Sequence, residues 1–194
     1  MYAHFFKRII DFSIALMVLL AISPVLLVIT ILLYVFNEGA GAFFLQERPG
    51  LHGKIFKIIK FKTMNERKDA SGRLLPDVQR ITKFGRFVRN TSIDELPQLF
   101  NVLKGEMSIV GPRPERPFFV KQFIAQKPEY DYRHNVKPGI TGLAQIAGKY
   151  NTSAYDKMIY DLLYIQDVSV KTDLMIMLQT FKVLLTKSST EGVK

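Results

Sequence analysis

The chain has no cysteine, which excludes disulfides and thiolate metal sites and leaves its redox compartment unreadable. Its three histidines (His4, His52 and His134) share no ligand-like spacing, which argues against a zinc centre. Internal repeats and low-complexity tracts are lacking too. Acidic side chains are in short supply: 17 Asp and Glu face 27 Lys and Arg, for a net charge of +10. Between Arg48 and Arg116 stand 15 basic residues and 7 acidic ones, so most of the excess lies mid-chain. A basic middle implies an anionic partner, whether nucleic acid, lipid headgroup or phosphorylated substrate.

What the chain has in quantity is apolar residues, 48% of its 194, and they gather at one end. From Ile9 to Phe36 only Asp11, Ser13, Ser23, Pro24, Thr30 and Tyr34 interrupt the run. About 20 apolar residues suffice to span a bilayer as a helix. The run is too long for a signal peptide, and no small-residue cleavage site follows it. Pro24 removes a backbone hydrogen bond in mid-run, so Ser23-Pro24 is expected to kink or break the helix. Lys7 and Arg8 precede the run and the basic segment follows it, which puts cytoplasm-favouring charge on both sides. A helix-break-helix that enters and leaves through one leaflet satisfies both ends, with the Ser23 hydroxyl as a partner for the broken backbone. A spanning helix is the alternative, since long domains escape the charge rule. The expected organisation is a re-entrant membrane element over 1–37 and a compact cytoplasmic catalytic domain over 38–194.

The remainder reads as mainly α with a small β-hairpin, an α+β class. Ala42–Gln46 and Lys54–Thr63 are rich in Phe and Ile and flank Pro49-Gly50 and Gly53, as in a hairpin with a longer loop. Asn65–Pro76 reads as a polar loop, and Asp77–Arg89 as one short helix with Arg80, Lys83 and Arg86 on one face. Leu96, Leu99, Phe100 and Leu103 mark a helix that stops at Gly105. Phe118–Gln126, Ala154–Ile165 and Val170–Thr186 are further helices. The last is amphipathic through Leu174, Met177, Leu178, Phe181 and Leu185, and suits either the core or the bilayer interface.

Ser92-Ile93-Asp94-Glu95 carries two readings. Ser-x-x-Glu before an apolar-periodic run is a capping box, with acidic residues suited to a helix start. Yet Arg86 and Arg89 lie just upstream, and Gly111-Pro112-Arg113-Pro114 follows. A helix start framed by arginine is a phosphate site. The same dipole is expected to hold Asp94 ionised, and an ionised carboxylate beside phosphate can act as a nucleophile. Adjacent carboxylates also suit Mg²⁺, with Asp94 and Glu95 as ligands beside substrate phosphate oxygens.

Asp94-Glu95-Leu96-Pro97-Gln98-Leu99, Asn101-Val102-Leu103-Lys104-Gly105-Glu106-Met107-Ser108 and Val110-Gly111-Pro112-Arg113-Pro114 together resemble the bacterial sugar transferase family. These are monotopic phosphoglycosyl transferases, and the likeness extends to Arg48-Pro49-Gly50, Phe61-Lys62-Thr63-Met64, Pro138-Gly139-Ile140-Thr141-Gly142 and Ser23-Pro24. It covers nearly the whole chain in order. The resemblance implies that Asp94 attacks a UDP-sugar, releases UMP and holds the phosphosugar, which polyprenol (undecaprenyl) phosphate then takes. It implies that Glu95 supports the dyad and that Mg²⁺ (Mn²⁺ as a substitute) offsets phosphate charge. Arg113 matches a phosphate-facing arginine, Lys62 the hairpin lysine, and Ser23-Pro24 the break of the re-entrant helix. The implied setting is the bacterial inner membrane with the catalytic domain facing the cytoplasm, at the first membrane step of glycan assembly.

The chain departs from the family pattern in two places. Leu143-Ala144-Gln145 replaces the frequent Trp-Ala-Gln, and Lys149 stands where Arg is common, so it meets phosphate without a bidentate fork. Both changes bear on the sugar rather than the reaction. Arg86, Arg89, Gln145, Lys149 and Asp161 complete the candidate substrate contacts. Arg80, Arg86, Arg89 and Arg113 also suit a solvated basic face or anionic membrane lipids, with ligand binding favoured for Arg113 between its two prolines, and Lys62 lies in a strand of alternating lysines. Asp156, Asp167 and Asp173 read as helix-surface residues. A homodimer is compatible with the sequence. A nucleic-acid partner is not expected, because a carboxylate pair inside the basic cluster repels polyanions and no aromatics interleave with the basic residues. The competing readings are a membrane-anchored basic module that binds anionic lipid without catalysis, and an Asp94 phosphoester hydrolase.

Overall fold

In the computed structural model, residues 2–148 and 152–185 are described. A π-helical turn, Tyr2–Phe6, leads into α1 (Lys7–Phe36), a single 30-residue helix with Pro24 inside it. The expected break at Ser23-Pro24 therefore does not interrupt the helix. Pro24 leaves the Leu20 carbonyl without its usual backbone donor, and the Ser23 hydroxyl donates to that same carbonyl at 2.9 Å. Asp11, Ala15, Leu19, Leu26, Ile29 and Leu33 are buried along one stripe. Met17, Leu20, Leu27 and Val28 on other faces are more than half exposed. Such an apolar surface marks a membrane or partner contact. The helix is long and apolar enough to cross a bilayer.

Both ends of α1 are tied to the rest of the molecule. Near its start, the Arg8 guanidinium donates to the Val102 and Leu103 carbonyls, while Asp11 accepts from the Ser108 hydroxyl at 2.7 Å and the Ile109 N–H at 3.2 Å. Just past its end, the buried Asn37 amide donates to the Lys62 carbonyl at 2.6 Å and the Gly41 carbonyl at 3.0 Å.

The hairpin forms as expected, with a first strand that runs on to Pro49 and a second that stops at Phe61. Strands β1 (Phe43–Pro49) and β2 (Ile55–Phe61) pair antiparallel, from Phe43 opposite Phe61 to Pro49 opposite Ile55. Phe56, Ile58 and Phe61 of β2 enter the main core with α1 and the helix after the dyad. The expected single helix over 77–89 is two: α2 (Asp77–Arg80) and α3 (Lys83–Asn90). Ile81 turns extended to bridge Met64, and Thr82 starts α3 as an N-cap, its hydroxyl accepting from the Gly85 N–H. Arg80, Lys83 and Arg86 thus do not share one helix face.

Helix α4 (Gln98–Lys104) ends at Gly105 in the left-handed conformation (φ 82°), as the sequence predicts. Two short strands then pair in parallel, β3 (Ser108–Val110) with β4 (Gly139–Thr141). This pair was not legible in the sequence. Between them lie α5 (Pro117–Gln126) and a 3-10 segment, Pro128–Asn135. Helices α6 (Leu143–Ala147), α7 (Ala154–Gln166) and α8 (Val170–Leu185) complete the described residues. Helix α8 buries Thr172, Asp173 and Ile176 and exposes Leu174, Leu178 and Phe181. Asp173 is therefore a core residue, contrary to expectation: it accepts from the Tyr2 and Tyr164 hydroxyls at 2.6 and 2.8 Å and pairs with Lys7. Asp161, 1% exposed on α7, is likewise internal.

Candidate active site

The turn that carries the carboxylate pair is not the first turn of a helix. Ser92 adopts the left-handed conformation (φ 56°) and makes no side-chain cap, and Ile93–Glu95 form a 3-10 turn. Pro97 then precedes α4, so the capping-box reading fails. Proline without an N–H suits a helix entry, and it separates the dyad from the helical hydrogen-bond ladder.

Asn101 fixes where this turn sits. Fully buried on α4, it accepts from the Ile59 N–H at 3.0 Å and donates to the Lys57 carbonyl at 2.8 Å. It thereby satisfies the free backbone edge of β2, which a two-stranded sheet leaves unpaired. That clamp sets the register between β2 and α4 and brings Lys60 onto the dyad. The Lys60 ammonium reaches a Glu95 oxygen at 2.9 Å. Arg113 approaches the same carboxylate as a fork, with one N–H donating at 2.9 Å and the second also hydrogen-bonded.

Two glycine contacts hold the Arg113 loop. An added Cβ at Gly139 would lie 2.1 Å from the Gly111 nitrogen, and one at Gly142 would lie 2.2 Å from the Gly111 oxygen. The 111–114 and 138–142 loops therefore interlock backbone to backbone, supported by bonds from the Gly111 N–H to Thr141 and from the Gly139 N–H to Pro112. The proline after it confines Arg113 to extended backbone, which aims its side chain across to Glu95.

The two carboxylates sit in opposite electrostatic states. Burial pushes Glu95 upward, but the hydrogen bonds and charge of Arg113, with Lys60, outweigh it and draw the group down to about 2. Burial and then the Glu95 charge raise Asp94 to about 6, against the pull of Lys60, Arg89 and Arg113. The expectation that a helix dipole holds Asp94 ionised fails in its cause: the shift runs upward. No helix starts at Asp94, and the largest charge effect on it, that of Glu95, is unfavourable to its ionised form. At pH 7 roughly nine Asp94 groups in ten are still ionised. The pair is one neutralised carboxylate beside one desolvated, titratable one. Separated values of this kind mark distinct chemical roles.

The other candidates divide. Arg89 acts on Asp94 and donates to the Thr63 hydroxyl at 2.9 Å. Arg86 is exposed on α3 and is not among the cations that act on Asp94. Lys62 turns the other way: its ammonium donates to the Ala40 carbonyl at 2.8 Å and pairs with Glu66. Lys60, two residues earlier and within β2, is the hairpin lysine at the dyad. Sequence reasoning missed it because the stretch Lys54–Thr63 carries four lysines (Lys54, Lys57, Lys60 and Lys62) and only the Asn101 clamp selects among them. Asp161 binds Arg133 in a buried pair. Gln145 on α6 has both amide atoms buried without a hydrogen-bond partner among the described residues. Lys149 lies outside the described residues.

An apolar groove of about 350 Å³ runs beside this turn, between α1 and the domain. Leu20, Ser23 and Leu27 line one side and Phe43, Pro97 and Phe100 the other. Among the described residues no cluster of three or more His, Cys, Asp and Glu could hold a metal by itself.

Residues 2–187 match the family model described as bacterial sugar transferase. The chain belongs to that family. It is 43% identical over 188 residues to the uncharacterized sugar transferase EpsL of Bacillus subtilis, covering 97% of this chain and 90% of the relative. It is 44% identical to UDP-glucose:undecaprenyl-phosphate glucose-1-phosphate transferase of Klebsiella pneumoniae, over 95% of this chain and 41% of that protein. A similar likeness, 39% over 94% of this chain and 44% of the relative, holds for an Aeromonas hydrophila protein. That protein is UDP-N-acetylgalactosamine-undecaprenyl-phosphate N-acetylgalactosaminephosphotransferase. The chain spans under half the length of these last two relatives.

Proposed function

We propose that this chain transfers a sugar 1-phosphate from a UDP-sugar to polyprenol phosphate in two covalent steps. The carrying observation is Asp94, desolvated and titrating near 6, beside a Glu95 already neutralised by Lys60 and Arg113. An Asp94 carboxylate oxygen attacks the sugar-bearing phosphorus. The bond from that phosphorus to the bridging oxygen breaks, and UMP leaves with the electron pair. The resulting acyl phosphate keeps the sugar on Asp94. A phosphate oxygen of the polyprenol phosphate then attacks the same phosphorus. Asp94 departs as carboxylate and the product is polyprenyl diphosphate-sugar. The reading commits to a UDP-sugar and not to one sugar, since relatives of similar identity are named for glucose and for N-acetylgalactosamine.

Glu95 acts as an anchor in this scheme: with both oxygens held by cations, it keeps Lys60 and Arg113 beside the incoming diphosphate. Mg²⁺ fits with Asp94 as its protein ligand and substrate phosphate oxygens as the others, and when bound it offsets diphosphate charge. Glu95 fits that role less well while its oxygens are occupied. Gln145, whose buried amide needs a partner, suits a polar edge of the nucleotide or sugar.

The re-entrant topology belongs to the same proposal. Because α1 stays helical through Pro24, the proposal is one continuous helix seated in a single leaflet rather than a helix-break-helix; drawn straight it is about 45 Å long. Arg8 and Asp11 at one end and Asn37 past the other all bond to the one catalytic domain, which supports both ends lying on the cytoplasmic face of the inner membrane. The groove beside Pro97 then receives the polyprenyl tail and brings its phosphate to Asp94. Incubation with Mg²⁺, polyprenol phosphate and a panel of UDP-sugars tests the reading. Lipid-dependent UMP release for one sugar, lost in Asp94→Asn, is expected. Undiminished turnover in Asp94→Asn overturns the covalent mechanism.

A further inference from the structure

Arg113 holds Glu95, and something must hold Arg113. Its two proline neighbours supply no N–H to anchor the loop, and its side chain is half exposed. Its carbonyl, however, accepts a 2.8 Å hydrogen bond from Arg133, which is 7% exposed and comes from the 3-10 segment after α5. The same guanidinium donates to Asp161 of α7 at 2.7 Å and to the Tyr130 hydroxyl. The Tyr130 ring packs under it, 4.7 Å from ring centroid to guanidinium carbon. All three sides of the Arg133 fork are therefore used. One faces α7, one its own segment, and one the backbone of the residue that forks onto the dyad.

We propose that Arg133, fixed by Asp161 and Tyr130, is a positioning residue for the dyad, acting through the Arg113 carbonyl to set the Arg113 fork on Glu95. The candidate substrate contact Asp161 thereby takes a different role: it orients the clamp and touches no substrate. A buried ion pair is a poor source of stability compared with apolar packing, so its position behind a functional loop has a better account in geometry. Lysine cannot replace Arg133 here, because an ammonium lacks the planar fork that meets Asp161, Tyr130 and the carbonyl together.

The activity arm of the test rests on the proposed transfer reaction; a second arm does not. Single-turnover UMP release is measured for Arg133→Lys in the wild-type and in the Arg113→Lys backgrounds, with Tm recorded for each. The expected result is a fall of about tenfold in the first background and under about twofold in the second, because the clamp acts only through the Arg113 fork. Equal falls in both backgrounds overturn the proposal, since a purely structural defect carries over unchanged. Tyr130→Phe, which keeps the Asp161 pair, serves if Arg133→Lys does not fold, and the same cycle with a fall of about threefold is expected. In the second arm, Glu95 is titrated by carboxyl NMR in the full-length protein. Its midpoint rises in Arg133→Lys, and an unmoved midpoint refutes the clamp. A wild-type protein that releases no UMP from any UDP-sugar overturns the function reading alone, while the Glu95 titration still judges the clamp.

Discussion

Lowering the pH should switch off the first half-reaction at an unusually high value for an aspartate. Asp94 is raised from 3.8 to about 6 by burial and by Glu95. Its nucleophilic form is the carboxylate, so activity is lost as pH falls through the raised value. Near pH 5 only about one Asp94 in ten is ionised, against more than about nine in ten for an ordinary aspartate. The assay is the UMP burst from UDP-sugar without lipid acceptor, which keeps the titrating phosphate of the polyprenol substrate out of the measurement. The burst rate at subsaturating donor should drop about tenfold per pH unit below 6. Glu95→Gln removes the negative neighbour, so the acid limb should move to lower pH even though the maximal rate falls. Lys60→Met removes a cation from both carboxylates and should move the limb up. A burst rate flat down to pH 5 refutes the assignment of Asp94 as the titrating nucleophile, as does an unshifted limb in Glu95→Gln.

Three further outcomes follow from the fold. Asn101→Leu strands the Ile59 N–H and the Lys57 carbonyl, and should cost about 2–4 kcal/mol in chemical denaturation while detaching Lys60 from the dyad. Gly139→Ala forces a Cβ against the Gly111 nitrogen, so it should disrupt the β3–β4 pairing and lower activity more than Ala147→Gly, a change on the exposed side of α6. Tags at the two termini should be equally accessible in intact cells; opposite accessibility contradicts the re-entrant arrangement of α1.

Local chemistry with one dominant physical cause was legible in the sequence. The apolar run became α1, Gly105 ended α4, and the Phe- and Ile-rich stretches paired around Pro49-Gly50. The Asp94-Glu95 pair and Arg113 were picked out and lie together. Features that depend on tertiary contact were not legible. Lys60 is chosen over Lys62 by a clamp from a helix some forty residues away in the chain. The β3–β4 pair has three residues per strand, too short for periodicity to register. Ser92-x-x-Glu95 looks like a capping box, yet Pro97 and the left-handed Ser92 divert it into a 3-10 turn. Asp161 and Asp173 read as surface residues or ligands because a buried carboxylate is recognisable only once its partners, Arg133, Lys7 and the tyrosines, are in place.

The central claim is that Asp94 carries the phosphosugar. Mass spectrometry of peptides from protein quenched during the acceptor-free burst tests it most directly. The account predicts a mass increase of one sugar phosphate on the peptide containing Asp94, formed in step with UMP and discharged when polyprenol phosphate is added. UMP formed without any adduct, or an adduct on another residue that discharges equally fast, would contradict it.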